Sequence, residues 1–374
     1  MITVVYVCID STLGGSTRSL FELIESVKEV VSPIILLPRK GPAYDFFLRH
    51  GFESYVYPFI ILYKFKRNRL ADVWHHPWRW SPVKKWRSDR RCARFLKKKL
   101  NGRKVDIVHT NTSPNDVGVY LSRYFRAKHV WHVRECLDAH AQFEMYGGRE
   151  RLIRLINGAD ARIAVSTFVK EHWRMVEKNT FMIHNAIFPA EDAVYVPSKD
   201  KYVLFESYYL TEAKGSRIAI QAFGKSLLGK EGYRLVMMGN CPKEYKESLM
   251  ATAQEFDCDK SVEFLPCQTD VKPFITKASA LVMASRYEGL GRVAAEAMFY
   301  GCPVIAHASG GTLDLVQDGK TGYLFQSIDD CAALLRNVCL NDQEEMILRA
   351  QRFAVDNFSV DKYGSRILEV YHSL

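Results

Sequence analysis

Residues Thr3–Ile9 form an unbroken apolar run, as expected of a parallel strand covered on both faces. Gly14 and Gly15 follow, and Leu20, Ile24, Val27 and Val31 then recur at helical spacing, predicting a strand, a glycine turn and a helix. The same alternation predicts further strands at Val105–His109, His129–Val133, Arg162–Val165 and Phe181–His184, most of them separated by helical stretches. A second series of apolar runs follows at Val203–Phe205, Leu235–Met238, Val262–Leu265, Leu281–Ala284 and Val304–Ala306, again with amphipathic segments between. Alternation of this kind predicts α/β units with parallel sheets.

Between the two series the hydrophobic pattern lapses in a stretch that holds two prolines and four charges, which reads as a linker. The expected organisation is a first Rossmann-like domain over 1–188, a linker over 189–200, a second domain over 201–358 and a terminal helix over 359–374 that could pack on either. At 374 residues the chain is long for one hydrophobic core, and two domains are the natural expectation. No apolar run approaches the roughly 20 residues that span a bilayer, and the N-terminus runs straight into a strand pattern without the features of a signal peptide. A cytoplasmic location is therefore expected. Nine scattered cysteines with no C-x-x-C pair suit reduced thiols better than a metal site or a disulfide framework.

Charge changes the picture in one place. Of 52 Lys and Arg and 42 Asp and Glu, 16 bases and two acids fall between Lys64 and Lys104, so this segment carries +14 and the rest of the chain −4. Trp74, Trp78, Trp80 and Trp86 lie in the same segment, along with His75 and His76. Tryptophan beside Lys and Arg is the composition of a membrane interface, so residues 64–104 are expected to meet an anionic membrane surface from the cytoplasmic side. A solvated helix face or phosphate contacts with aromatic stacking would use the same residues, but no nucleic-acid partner is expected.

The densest chemistry lies between Ser285 and Met298. The pattern is a buried strand, a loop holding Glu288, Gly289, Leu290 and Gly291, and a helix that starts near Gly291 and stops at Gly301-Cys302-Pro303. In open α/β sheets ligands bind outside the carboxyl ends of strands. Glycines at 289 and 291 let backbone approach a ligand, and the first helical turn presents N–H groups suited to a diphosphate. Glu296 falls about five residues into that helix, roughly 7–8 Å along it. A carboxylate is a poor partner for phosphate and a good acceptor for vicinal hydroxyls. Two acids about one anion-binding turn fit a nucleotide sugar.

This segment resembles the family 4 retaining glycosyltransferases of the GT-B fold. Their hallmark, Glu-(x)7-Glu within Ser-x-x-Glu-Gly-x-Gly followed by Glu-Ala-Met, is matched by Ser285, Glu288, Gly289, Gly291, Glu296, Ala297 and Met298, with Gly301, Pro303, Gly310 and Gly311 beyond. The resemblance implies two Rossmann-like domains whose parallel sheets face across a cleft that closes by hinge motion, with Glu288 on the donor sugar and Glu296 on the ribose. Leu210–Gly215 resembles the family's Gly-Arg-Leu-x-x-x-Lys-Gly, which assigns Lys214 to the leaving diphosphate, but Tyr209 stands where the family has Arg. Arg292, or Arg286, is a candidate to supply the missing charge. The family places the Gly14-Gly15 loop toward donor or acceptor and a catalytic-centre histidine at His132, with Arg134 and Glu135 on the acceptor side. At Asn185-Ala186 the family usually has Asn-Gly.

The activity so implied is transfer of a sugar, with retained anomeric configuration, from a nucleotide-diphosphate donor to a hydroxyl of a glycan or lipid-linked acceptor in cell-surface polysaccharide synthesis. No cofactor and no metal are implied, the diphosphate charge being met by Lys214, the Gly289–Val293 turn and the Gly14-Gly15 loop. A sugar-nucleotide epimerase of the same fold and a non-catalytic nucleotide-sugar binding protein are the competing readings. A nicotinamide-dependent enzyme would need G-x-G-x-x-G after the first strand, which Gly14-Gly15-Ser-Thr-Arg-Ser does not supply.

Overall fold

The computed structural model describes residues 1–65, 82–136, 138 and 143–374. The chain forms two units: Met1–Asn185 with Tyr363–Leu374, and Ala186–Lys362. The strands, in chain order, are β1 (Ile2–Val7), β2 (Val31–Leu37), β3 (Glu53–Val56), β4 (Tyr63–Phe65), β5 (Ile107–Asn111), β6 (Lys128–Val133), β7 (Phe143–Met145), β8 (Ala161–Ala164), β9 (Thr180–Met182), β10 (Asp200–Tyr209), β11 (Arg234–Asn240), β12 (Val262–Leu265), β13 (Ala278–Met283), β14 (Val304–His307) and β15 (Tyr323–Phe325).

In the first unit β3-β2-β1-β5-β6-β8-β9 make a seven-stranded sheet whose neighbours all run parallel, and β4 and β7 pair separately as an antiparallel ribbon. The apolar runs became central strands because both their faces are covered: Val4, Val5, Tyr6 and Val7 are fully buried. The chain starts at β1, builds outward to β3, then returns to β5 on the other side, so the strand order reverses between β1 and β5. Val31, read as the end of the first helical face, is instead the first residue of β2, because the helix stops at Val27. Pro33 obscures β2 in the sequence. It is accommodated because pairing with β3 begins only at Ile34, so the missing N–H faces no partner there.

The second unit holds a six-stranded parallel sheet in the order β12-β11-β10-β13-β14-β15, which reverses between β10 and β13. Val203, Phe205, Leu235, Met237, Ala280, Val282 and Ile305 from its strands meet Ala219, Phe223, Leu249 and Leu335 from the covering helices in one core. The stretch 189–200, read as a linker, lies within this unit. Phe188 packs on Tyr300 at 5.0 Å between ring centroids, and Lys199 Nζ donates to the carbonyls of Thr276 and Gly301, each at 2.7 Å. The terminal helix, Val360–His372, is divided, with Tyr363 onward belonging to the first unit. All nine cysteines are free thiols, and among the described residues no helix is long and apolar enough to cross a membrane. Trp74, His75, His76, Trp78 and Trp80 of the basic segment lie outside the described residues.

Candidate functional site

Adjacent parallel strands that leave in opposite directions open a crevice at their carboxyl ends, so the reversal between β10 and β13 fixes where a ligand of the second unit would sit. From β10 the chain passes Tyr209 and Leu210 into a single turn, Glu212–Lys214, in which Thr211 Oγ1 accepts from the Lys214 N–H at 3.3 Å. Gly215 ends the turn at φ +78°. A Cβ there would fall 2.4 Å from the Ala284 carbonyl oxygen, so only glycine lets this turn lie against the end of β13. Ser285 Oγ completes the contact by donating to the Ala213 carbonyl at 3.3 Å. The consequence is a close meeting of the two loops: Lys214 Nζ lies 2.6 Å from Glu288 Oε1, with the lysine 41% and the glutamate 19% exposed.

Beneath Glu288 the loop rests directly on backbone. The Gly311 N–H donates to the Glu288 carbonyl at 2.8 Å, and a Cβ on Gly311 would come 2.1 Å from the Gly289 carbonyl oxygen. Ser309 Oγ supports Arg286 through its carbonyl at 2.8 Å. Leu290 turns its side chain into the core. Gly291, at φ +93°, caps the helix Arg292–Phe299, whose first-turn N–H groups point out at the same end of the sheet. Glu296 is buried on that helix. Its partner is Arg292, whose Nη2 lies 3.4 Å from Glu296 Oε1 while Nη1 donates to the Ala186 carbonyl at 2.9 Å. The proposed substitute for the family's arginine is therefore turned back along its own helix. Tyr209 stands 55% exposed at the end of β10, its ring edge-on to Tyr208 at 4.9 Å.

In the first unit the corresponding reversal lies between β1 and β5. Gly14 precedes the helix Gly15–Val27 with an ordinary φ of −69°, and a Cβ on it would meet only Thr12 Oγ1, at 3.5 Å. Neither strain nor crowding within the unit calls for glycine at 14. His132 is the next-to-last residue of β6, fully buried, in register with Asn111 of β5. Burial, with the charge of Arg134 and the ring of His109 acting the same way, holds its imidazole well below the usual histidine pKa. Arg134 is buried too, and its donors go to Asn111, Asn185, Tyr363 and His132. Glu135 Oε1 accepts from the Ser113 N–H at 2.6 Å and from Ser113 Oγ at 2.7 Å; burial raises its pKa against the pull of those two bonds.

Sequence reading missed Asn111, Tyr363 and Tyr371, and it gave Asn185 no chemistry. The last three lie far from His132 in the chain, and the only signal for the tyrosines was their place on the buried face of an amphipathic final helix. Among the described residues no group of three or more His, Cys, Asp or Glu is arranged to hold a metal ion.

Two doubly wound sheets, each with glycine turns at its reversal, define the class of α/β proteins that bind nucleotides at strand ends. Residues 13–191 match the model of "Glycosyltransferase Family 4", and residues 188–352 match that of "Glycosyl transferases group 1". The chain belongs to the group 1, family 4 glycosyltransferases, and its fold is GT-B. It is 24% identical over 184 residues to the N-acetyl-alpha-D-glucosaminyl L-malate synthase of Bacillus anthracis, covering 48% of each chain. It is 37% identical over 109 residues to the D-inositol 3-phosphate glycosyltransferase of a Nocardioides species, 26% of this chain and 24% of that one. The chain thus spans about half or less of the length of these curated relatives. Among solved structures, Anabaena HepE in complex with UDP-glucose superposes with a TM-score of 0.78 over 100% of both chains at 20% identity. The sucrose-phosphate synthase of Thermosynechococcus elongatus does so with 0.76 over 100% of this chain and 99% of that one at 16% identity. At these identities the likeness concerns the fold.

Proposed function

We propose that this protein is a retaining glycosyltransferase that takes a nucleotide-diphosphate sugar, with a UDP-sugar as the first donor class to test, and transfers the sugar to a hydroxyl of a glycan or lipid-linked acceptor. The observation that carries the reading is the meeting of Lys214 and Glu288 at the β10/β13 reversal, beside the N-terminus of the helix that bears Glu296. One cation, one row of N–H groups and two carboxylates match the groups of such a donor: a diphosphate, with sugar hydroxyls on one side and ribose hydroxyls on the other. HepE, with the same fold, was crystallised with UDP-glucose, which supports the donor class.

In this reading Lys214 and the Gly289–Val293 turn meet the charge that grows on the leaving diphosphate, without calling on a metal. Glu288 holds the sugar and Glu296 the ribose, and in the first unit His132 hydrogen-bonds a substrate oxygen. The glycosidic bond to phosphate breaks as the acceptor oxygen attacks the same face, and the acceptor's proton passes to the departing phosphate oxygen. The product keeps the anomeric configuration. Arg134, whose donors are engaged within the unit, then acts behind the acceptor side, while Glu135, held at Oε1 by Ser113, stays on the acceptor side.

The basic helix Pro82–Leu100 bears on the acceptor. Eight of its lysines and arginines are exposed, its one acid, Asp89, is buried, and Trp86 is 47% exposed with Arg90 at 5.3 Å from its ring. We propose that this face rests on an anionic membrane, which suits a lipid-linked acceptor and a site on the cytoplasmic face, in polysaccharide assembly.

The test is incubation with a panel of nucleotide sugars and acceptors, with the anomer of the product read by NMR. Lys214→Ala and Glu296→Gln should each cost about ten- to a hundredfold in kcat/KM, the worth of one charge-assisted hydrogen bond. Donor epimerised without acceptor would favour the epimerase reading. Donor bound but never converted would leave a binding protein.

A further inference from the structure

Arg134 is a buried guanidinium with no carboxylate among its hydrogen-bond partners in the described residues. Its Nε donates to Asn111 Oδ1 at 2.6 Å, its Nη1 to Asn185 Oδ1, and its Nη2 reaches the Tyr363 hydroxyl at 3.2 Å and His132 Nδ1 at 3.3 Å. A guanidinium has donors only and keeps its charge, so the nitrogen facing it must offer a lone pair. His132 Nδ1 is therefore the acceptor, and the proton of the neutral ring sits on Nε2. The opposite tautomer would set N–H against N–H.

His132 Nε2 is itself buried and has no hydrogen-bond partner among the described residues. A fully buried N–H without an acceptor is costly, and a catalytic role is one of the reasons a fold keeps such a group. The ring is enclosed by His109, at 5.4 Å between centroids, and Tyr363, at 6.5 Å, with Tyr371 and Tyr6 linked to His109 behind it. None of these is a carboxylate that would favour the imidazolium. An imidazole with Nδ1 occupied and Nε2 protonated has no site from which to take a proton.

We propose that Arg134 is a positioning residue that holds His132 in its neutral Nε2–H tautomer, so that His132 donates a hydrogen bond to an oxygen of a bound substrate and does not act as a base. The inference rests on the transferase reading for the identity of that oxygen; the tautomer itself does not.

Ring-15N NMR, with the His132 signals assigned by their loss in His132→Gln, reads the tautomer directly. The expected result is the Nε2–H form, unchanged from about pH 8 to about pH 5.5, below the ordinary histidine pKa. An Nδ1–H form or an imidazolium in that range overturns the proposal. In activity, His132→Ala should lose about a hundredfold in kcat, as for one catalytic hydrogen-bond donor removed, while His132→Gln, whose amide N–H can stand in for Nε2–H, should keep most of it. Glutamine as inactive as alanine overturns the donor role. Arg134→Met should lower kcat at unchanged donor KM, and the same change in the His132→Gln background should cost several-fold less, because an amide has no tautomer to fix. Equal costs in both backgrounds mean Arg134 is merely structural, against the proposal. If Arg134→Met does not fold, the wild-type spectrum and the two His132 variants still decide. Absence of transfer with any donor would remove the transferase reading and leave the spectrum to judge the tautomer.

Discussion

Lys214 and Glu288 are each other's counter-ions at 2.6 Å, and both are also the groups expected to meet a donor. A diphosphate must therefore compete with a carboxylate for the lysine, and Glu288→Gln separates the two roles. Because a partly exposed ion pair contributes only about 0.2–1 kcal/mol, the variant should bind UDP alone about two- to fivefold more tightly, while sugar transfer falls. Calorimetric titration checks this, and a weaker Kd would show that the carboxylate does not restrain the lysine. The charge missing at Tyr209 has no ready substitute in Arg292, which is engaged with Glu296 and the Ala186 carbonyl. Gly215 and Gly311 are dictated by backbone packing: each keeps a turn within reach of its neighbour at distances that exclude a Cβ.

At the scale of elements, the basic helix is oriented by its buried charges. Lys85 Nζ lies 2.6 Å from Asp89 and 2.8 Å from Asp116, which also takes Arg151 at 2.7 Å. This buried cluster, with Cys92, Ala93 and Leu96 in the core, turns the remaining bases outward. At about 1 kcal/mol for each basic residue near an anionic surface, the double reversal Arg90→Glu with Arg94→Glu should weaken partitioning to phosphatidylserine vesicles by well over tenfold. Trp86→Ala should weaken it further. Co-sedimentation that ignores added salt, or that persists in the charge-reversed variant, would contradict the membrane role.

For the whole molecule, buried ionisable groups decide how acid acts. His129 is held to about 4 by burial, and His109 and His132 are pushed well below the ordinary value for the same reason. As pH falls through about 6.5 the unfolded chain takes these protons and the folded one does not, so stability declines from there down to the folded values. Asp89 works in the opposite sense: burial raises it to about 6, so the folded state gains its proton first and is favoured as pH falls from about 6 toward 4. For His129 the shift is worth about 3 kcal/mol by linkage, and Asp89 roughly offsets it; Glu135, also raised by burial, opposes His109 and His132, whose two large shifts carry the net loss. The melting temperature should fall as pH drops from about 7 to about 5, and more shallowly in His109→Phe. A flat profile would mean that these rings are hydrated or charged in the folded state.

The place of the candidate site was legible in the sequence because parallel sheets convert chain order into position: an apolar run followed by glycine and a charge places that charge at a strand's carboxyl end. Glu288 could be placed for that reason, Glu296 by its spacing along the following helix and Lys214 only by the family resemblance, while β1, β6, β10 and β13 were legible because continuous burial leaves continuous apolar runs. β2 was hidden by Pro33, β15 by its three-residue length, and Trp74, Trp78 and Trp80 of the basic segment fall outside the described residues. Pairings across long separations carry no local signature, so only the tertiary structure showed Lys214 against Glu288, Arg292 turned to Glu296, and Tyr363 and Tyr371 of the last helix meeting the strands that begin the chain. Local periodicity determined which residues stand at strand ends. The three-dimensional packing decided which of their charges neutralise each other, because that depends on approach distances that no spacing along a chain encodes.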